Sequence, residues 1–82
     1  MSETRIAVAA IIVEKKESVE ALNTLLHEYG DYIIGRMGIP NTSKGVSVIS
    51  VALDATNDEI SALTGKIGNI EGISIKTIYS SL

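Results

Sequence analysis

The 82-residue chain contains no cysteine, tryptophan or phenylalanine, and only one proline and one histidine. Without thiols it has no disulfide framework, zinc finger or thiol nucleophile. A cysteine-free chain also suits a reducing compartment. Positive charge is in short supply: seven Lys and Arg stand against ten Asp and Glu, for a net charge of −3. That balance disfavours an electrostatic grip on nucleic acid. Long apolar runs are missing too. The stretch from Ile6 to Val13 is too short to span a membrane, and it has neither a basic leader nor a small-residue cleavage site. A cytoplasmic location, with no membrane contact, is therefore expected. At 45% hydrophobic residues the chain is too apolar for a disordered tail and too short for a multidomain enzyme. It reads as a single domain over residues 1–82. A chain of this size buries only about 60–65% of its unfolded surface, so a lone copy would be marginally stable.

What is present is strongly patterned. Ile6 to Val13 is almost entirely β-branched residues and alanine, apolar on both alternating faces, and reads as a central strand. Ser18 can cap a helix whose apolar positions Val19, Leu22, Leu25, Leu26 and Tyr29 recur every three or four residues, with Gly30 as its stop. Tyr32 to Ile39 reads as a second strand carrying Gly35 and Gly38. Pro40 to Lys44 is a turn, and Val46 to Leu53 is a third strand antiparallel to the second. Thr56-Asn57-Asp58-Glu59 is a capping box opening a second helix with the stripe Ile60, Leu63, Ile67 and Ile70, which ends near Gly68 and Asn69. Ile73 to Tyr79 alternates as a fourth strand.

The order strand, helix, strand, strand, helix, strand predicts an α+β, ferredoxin-like βαββαβ fold. Right-handed crossovers put the first and third strands at the centre of a four-stranded antiparallel sheet, with both helices on one face. The other face is uncovered. It is expected to show Ala7, Ala9, Ile11 and Val13 beside Val48, Ser50 and Ala52, a surface too apolar to remain in water. The expectation that follows is a homo-oligomer, dimer or tetramer, packed sheet against sheet or joined through an edge strand.

Residues suited to chemistry are few. His27, the lone histidine, falls on the polar side of the first helix beside Glu20 and Asn23, where a solvated surface role suffices. Glu14 and Glu17 flank a charged turn, and Asp54, Asp58 and Glu59 sit around a helix start where the macrodipole favours negative charge. No metal site, cofactor or catalytic residue is assigned. The most unusual segment is GRMGIPNTSKG, from Gly35 to Gly45. Its glycines point to close backbone approach, a bulge or a subunit contact, and it lacks the spacing and following helix of a phosphate-binding loop. Within it Arg36 is the best single candidate for gripping an anionic ligand or partner. The candidate ligand or interface residues are Gly35, Arg36, Met37 and Gly38 from this segment, with Gly65 and Lys66 from the outward side of the second helix.

Three segments carry a resemblance over nearly the whole chain: IIGRMGIP from Ile33 to Pro40, KGVSVIS from Lys44 to Ser50, and DEISALTGKIG from Asp58 to Gly68. In them the sequence resembles the bacterial family of iron-only (FeFe) hydrogenase system regulators. The resemblance implies an ACT-like domain, similar to the C-terminal ligand-binding domain of nickel-responsive NikR-type regulators, and an association with the hydrogenase system. It departs from the nickel regulators in having no ribbon-helix-helix segment ahead of the sheet and no His/Cys cluster. Its turn from Glu14 to Ser18 also lacks the glycine common in amino-acid-binding ACT domains. The expected function is a non-enzymatic, oligomeric regulatory module binding a small molecule or a protein partner, linked to transcriptional regulation without direct nucleic-acid binding. The alternative is a small ferredoxin-like enzyme with a subunit-interface site around Arg36.

Overall fold

The computed structural model describes residues 3–40 and 42–81. Its elements are β1 (Thr4–Val13), α1 (Ser18–Glu28), β2 (Ile33–Ile39), β3 (Ser47–Thr56), α2 (Asn57–Gly68) and β4 (Ile73–Tyr79), with a single 3-10 turn at Gly30–Tyr32. The sheet order is β2-β3-β1-β4 and every pairing is antiparallel, so the βαββαβ expectation is met with β1 and β3 central. Asn41, part of the expected turn after β2, lies outside the described residues. The rest of that turn is organised by Thr42, whose hydroxyl donates to the Val46 carbonyl at 2.8 Å, and by Gly45 at φ +80°.

The core lies between the helices and one face of the sheet. Leu22 and Leu26 of α1, and Ile60, Leu63 and Ile67 of α2, pack over Ala7, Ala9, Ile11 and Val13 of β1 and Ile49, Val51, Leu53 and Ala55 of β3. This corrects the expected assignment of β1: Ala7, Ala9, Ile11 and Val13 face the helices, and Ile6, Val8, Ala10 and Ile12 face away. The physical reason is the register. A strand apolar on both sides does not specify which face is buried. The alternation of β3 is unambiguous, with Asp54 and Ser50 on its outward side. The pairs Ile11 with Ile49 and Ala10 with Ser50 then carry that assignment across to β1. The outward set Val48, Ser50 and Ala52 is as expected.

Two helix starts contrast. The α1 N-cap is Glu17, with no side-chain cap. Ser18, expected as the cap, sits inside the first turn, where its hydroxyl donates to the Glu71 carbonyl. The Lys15–Glu71 ion pair at 2.9 Å and the Glu14 amide donating to the Gly72 carbonyl join the same two turns. Gly72 is required there: its φ is +83°, and a Cβ would lie 2.7 Å from the Lys15 side chain. The β1–α1 turn is thus packed against its own chain.

The α2 start has the expected capping box. Thr56 Oγ1 accepts from the Glu59 amide at 3.2 Å, and Glu59 Oε1 accepts from the Thr56 amide at 2.9 Å. The Thr56 amide foremost, and then the Tyr32 hydroxyl, hold the Glu59 carboxyl below its ordinary pKa. A depressed folded-state pKa contributes stability that is complete above the unfolded-state carboxylate value and is lost as pH falls through the folded one. Thr56→Ala is expected to cost about 1 kcal/mol at neutral pH in urea unfolding. Glu59→Gln, which keeps an acceptor but cannot titrate, should weaken the acid dependence of stability. An unchanged acid limb in Glu59→Gln would remove this account.

Candidate functional site

The site is built where α1 passes the edge strand β2. Lys16, Val19, Asn23 and His27 recur at three- and four-residue spacing and so share one flank of α1 and its approach. In β2, residues opposite core-facing positions of β3 also face the helices: Arg36 pairs with Val51, and Gly38 with Ile49. The two rows converge on a groove of about 360 Å³ lined by Lys16, Val19, Asn23, Arg36, Gly38, Pro40, Ser47 and Ile49. A second hollow of about 410 Å³ continues it past Arg36 toward Gly30, with Asn23, Leu26, His27 and Ile33.

The electrostatics of the groove are one-sided. It has two cations and no carboxylate. Arg36 Nη2 donates to the neutral acceptor Asn23 Oδ1 at 3.3 Å. Among the described residues the ion pair is Lys15–Glu71, which leaves Arg36 and Lys16 without a carboxylate partner. Glu20 and Glu28 line a neighbouring hollow, which shares Lys16, Val19 and Asn23 with the groove. Gly38 forms part of the floor, since a Cβ there would reach Ile49 Cγ1 and the Val48 carbonyl only at 3.8 Å. No group of three or more His, Cys, Asp or Glu among the described residues could hold a metal ion.

The six residues singled out from sequence separate into three places. Arg36 and Gly38 line the groove. Met37, opposite Ser50, and Gly35, opposite Ala52, lie on the uncovered face, with a register irregularity at Ile34 between Ile33 and Gly35. Gly65 and Lys66 are on α2, away from both. The Lys66 ammonium donates to the Tyr29 hydroxyl at 3.0 Å and lies 5.2 Å from the centroid of its ring. That hydrogen bond raises its pKa and ties α2 to the end of α1. Open space surrounds the Gly65 Cβ position. Gly65→Ala should therefore stabilise the fold by about 0.5–1 kcal/mol, read as a higher melting temperature. A loss of stability or of association would instead show that something packs on Gly65.

Missed at the sequence level were Lys16, Asn23 and Ser47. Lys16 belongs to the charged turn before α1, Asn23 to the polar side of α1 and Ser47 to the start of β3, and only the strand order shows that this flank of α1 borders β2.

The uncovered face is as apolar as expected, with a different β1 set. Large side chains stand out of it: Met37 is 62% exposed, Ile78 73% and Val8 41%, with Ile6, Ile12 and Ile39 alongside. Ala10, Ser50 and Ala52 form a low strip between them, and its charged residues are one acid, Asp54, and one base, Lys76.

Strand order, helix placement and the uncovered sheet together define a ferredoxin-like βαββαβ fold, which ACT domains share. An ACT domain from a GTP pyrophosphokinase of Chlorobium tepidum superposes with TM-score 0.71 at 11% identity, covering 95% of this chain and 100% of that one. The chain belongs to the TM1266-like family of iron-only hydrogenase system regulators, which it matches over residues 5–77. It is similar to the uncharacterized protein TM1266 of Thermotoga maritima, at 33% identity and TM-score 0.89 over 94% of this chain and 98% of that one. The fold is shared with a PII-like nitrogen regulatory protein of Thiomonas intermedia bound to ADP, AMP and bicarbonate, at 14% identity and TM-score 0.54 over 100% and 94% of the two chains. The comparison with curated proteins gave no match. No helix among the described residues is long and apolar enough to cross a membrane.

Proposed function

We propose that this chain acts as a single-domain, non-enzymatic regulatory module of the iron-only hydrogenase system, working in the cytoplasm as a homodimer whose copies cover each other's open sheet face. A tetramer would be two such dimers. The module would report the binding of a small ligand or protein partner, and influence transcription through that partner rather than by touching DNA, in keeping with its net charge of −3.

The observation that carries this reading is the uncovered face itself. Four strands about 4.8 Å apart and some seven residues long present a plan area on the order of 500 Å². Corrugated by side chains, that approaches the roughly 800 Å² per partner of a standard stable interface. A second copy suits it better than an unrelated protein because the face is self-complementary. Its low Ala10, Ser50 and Ala52 strip can receive the high Ile and Met side chains of a copy turned about a two-fold axis. Lys76 and Asp54 bring opposite charges to the same contact. Two sheets packed in this way keep their strands within about 30° of one another.

Sedimentation velocity at micromolar concentration tests it. The expected species has twice the 8.7 kDa chain mass, or four times for the tetramer. A monomer at that concentration would overturn the reading. The enzyme alternative around Arg36 would need its acid or base from another subunit, since the groove's own lining offers no carboxylate.

A further inference from the structure

The geometry points to the groove between α1 and β2 as a binding site for a small organic oxyanion, a molecule carrying one carboxylate or phosphate head on a short apolar body. This deepens the regulatory reading, on which it rests, by naming the chemistry of the ligand. The head is specified by charge. In a chain with an excess of acids, Arg36 and Lys16 converge on one groove without a carboxylate partner among the described residues. Among the described residues, the hydrogen bond Arg36 makes across the groove, to the Asn23 amide oxygen, is to a neutral acceptor that an oxyanion readily displaces. A planar guanidinium with free donors matches two oxygens of a carboxylate or phosphate, and Lys16 adds a mobile point charge. The Asn23 amide remains as a neutral polar group on one wall, while the Ser47 hydroxyl on the other donates to the Pro40 carbonyl.

The body is specified by shape. Val19, Pro40 and Ile49 form an apolar lining, and the missing side chain of Gly38 opens the floor between them. A volume of about 360 Å³ is in the range of small-molecule pockets and too small for a folded partner. The position also gives binding a consequence. Side chains alternate along β2, so Arg36 and Gly38 face the groove while Met37 and Ile39 face the proposed dimer contact. A ligand that fixes the first pair restricts the second, which couples occupancy to association.

The test is a titration of the full chain, followed by amide NMR, with pentanoate, butyl phosphate, inorganic phosphate and butanol as probes. Saturable shifts at Val19, Asn23, Gly38 and Ile49 are expected with pentanoate or butyl phosphate. The binding head names which oxyanion source is used. Butanol should leave these amides unmoved, and inorganic phosphate should bind more weakly than butyl phosphate. Arg36→Gln should weaken binding roughly tenfold or more, by loss of the charge-assisted pair. Gly38→Leu should block the floor. Should that variant not fold, Gly38→Ala introduces a Cβ at ordinary contact distance and should still weaken the apolar arm. No saturable shift with either organic oxyanion, equal shifts with butanol, equal affinity for inorganic and butyl phosphate, or an unchanged affinity in Arg36→Gln would each overturn the proposal. Repeating the titration in Val8→Lys, altered on the opposite face, separates the two ideas. Binding should persist in that variant, whereas in the unaltered chain binding without association sinks only the dimer, and association without binding sinks only the ligand.

Discussion

Val8→Lys is expected to turn the self-associated protein into a monomer that remains folded. Val8 stands near the middle of the uncovered face, opposite Ala52 on one side and Ile78 on the other. It is 41% exposed in the isolated chain, so a lysine there can extend into water without disturbing the core. In a sheet-on-sheet dimer the same ammonium would be enclosed by apolar side chains, twice per assembly because of the two-fold symmetry. An unpaired charge in such a place costs several kcal/mol. The dissociation constant should rise roughly a hundredfold or more. Sedimentation velocity reads the mass, and an unchanged far-ultraviolet spectrum shows that the monomer is folded. If the mass stays that of the assembly, the copies meet elsewhere, and β2, the glycine-containing edge strand, becomes the place to look.

The second large effect concerns two adjacent isoleucines. Ile11 is 0% exposed beneath the helices, whereas Ile12 is 36% exposed on the outer face. Ile11→Ala should cost about 2–5 kcal/mol, a transfer loss plus a cavity that its close-packed neighbours cannot collapse into. For a domain of this size that lowers the melting temperature by some 10 °C or more. Ile12→Ala should cost under about 1 kcal/mol in a monomer, since much of its surface is already in water. Both are best measured in the Val8→Lys background, where association does not add to stability. Equal costs, or the reverse order, would mean that β1 presents its other face to the helices.

That pair also marks the border between what could be read from the chain and what could not. The capping box at Thr56 and Glu59, the α2 stripe Ile60, Leu63 and Ile67, and the alternation of β4 were all legible, because each depends on residues close in sequence. The first helix was legible in position but not in its start. Ser18 has the chemistry of a cap, yet its hydroxyl bonds to Glu71, 53 residues away, a partner no local rule could supply. The candidate site was half legible. Arg36 and Gly38 stood out as unusual residues, whereas Lys16 and Asn23, which complete the groove, looked like an ordinary turn residue and an ordinary helix-surface position.

By itself the amino-acid order determined the elements, the βαββαβ succession and the presence of an apolar sheet face without a cover, since hydrophobic period and turn chemistry act over a few residues. Tertiary structure alone decided which side of β1 is core, because that strand is apolar on both sides and takes its orientation from its hydrogen-bonded register with β3. It alone set Arg36 opposite Lys16 and Asn23 as well, because strand order, not spacing, decides which helix flank runs beside which edge.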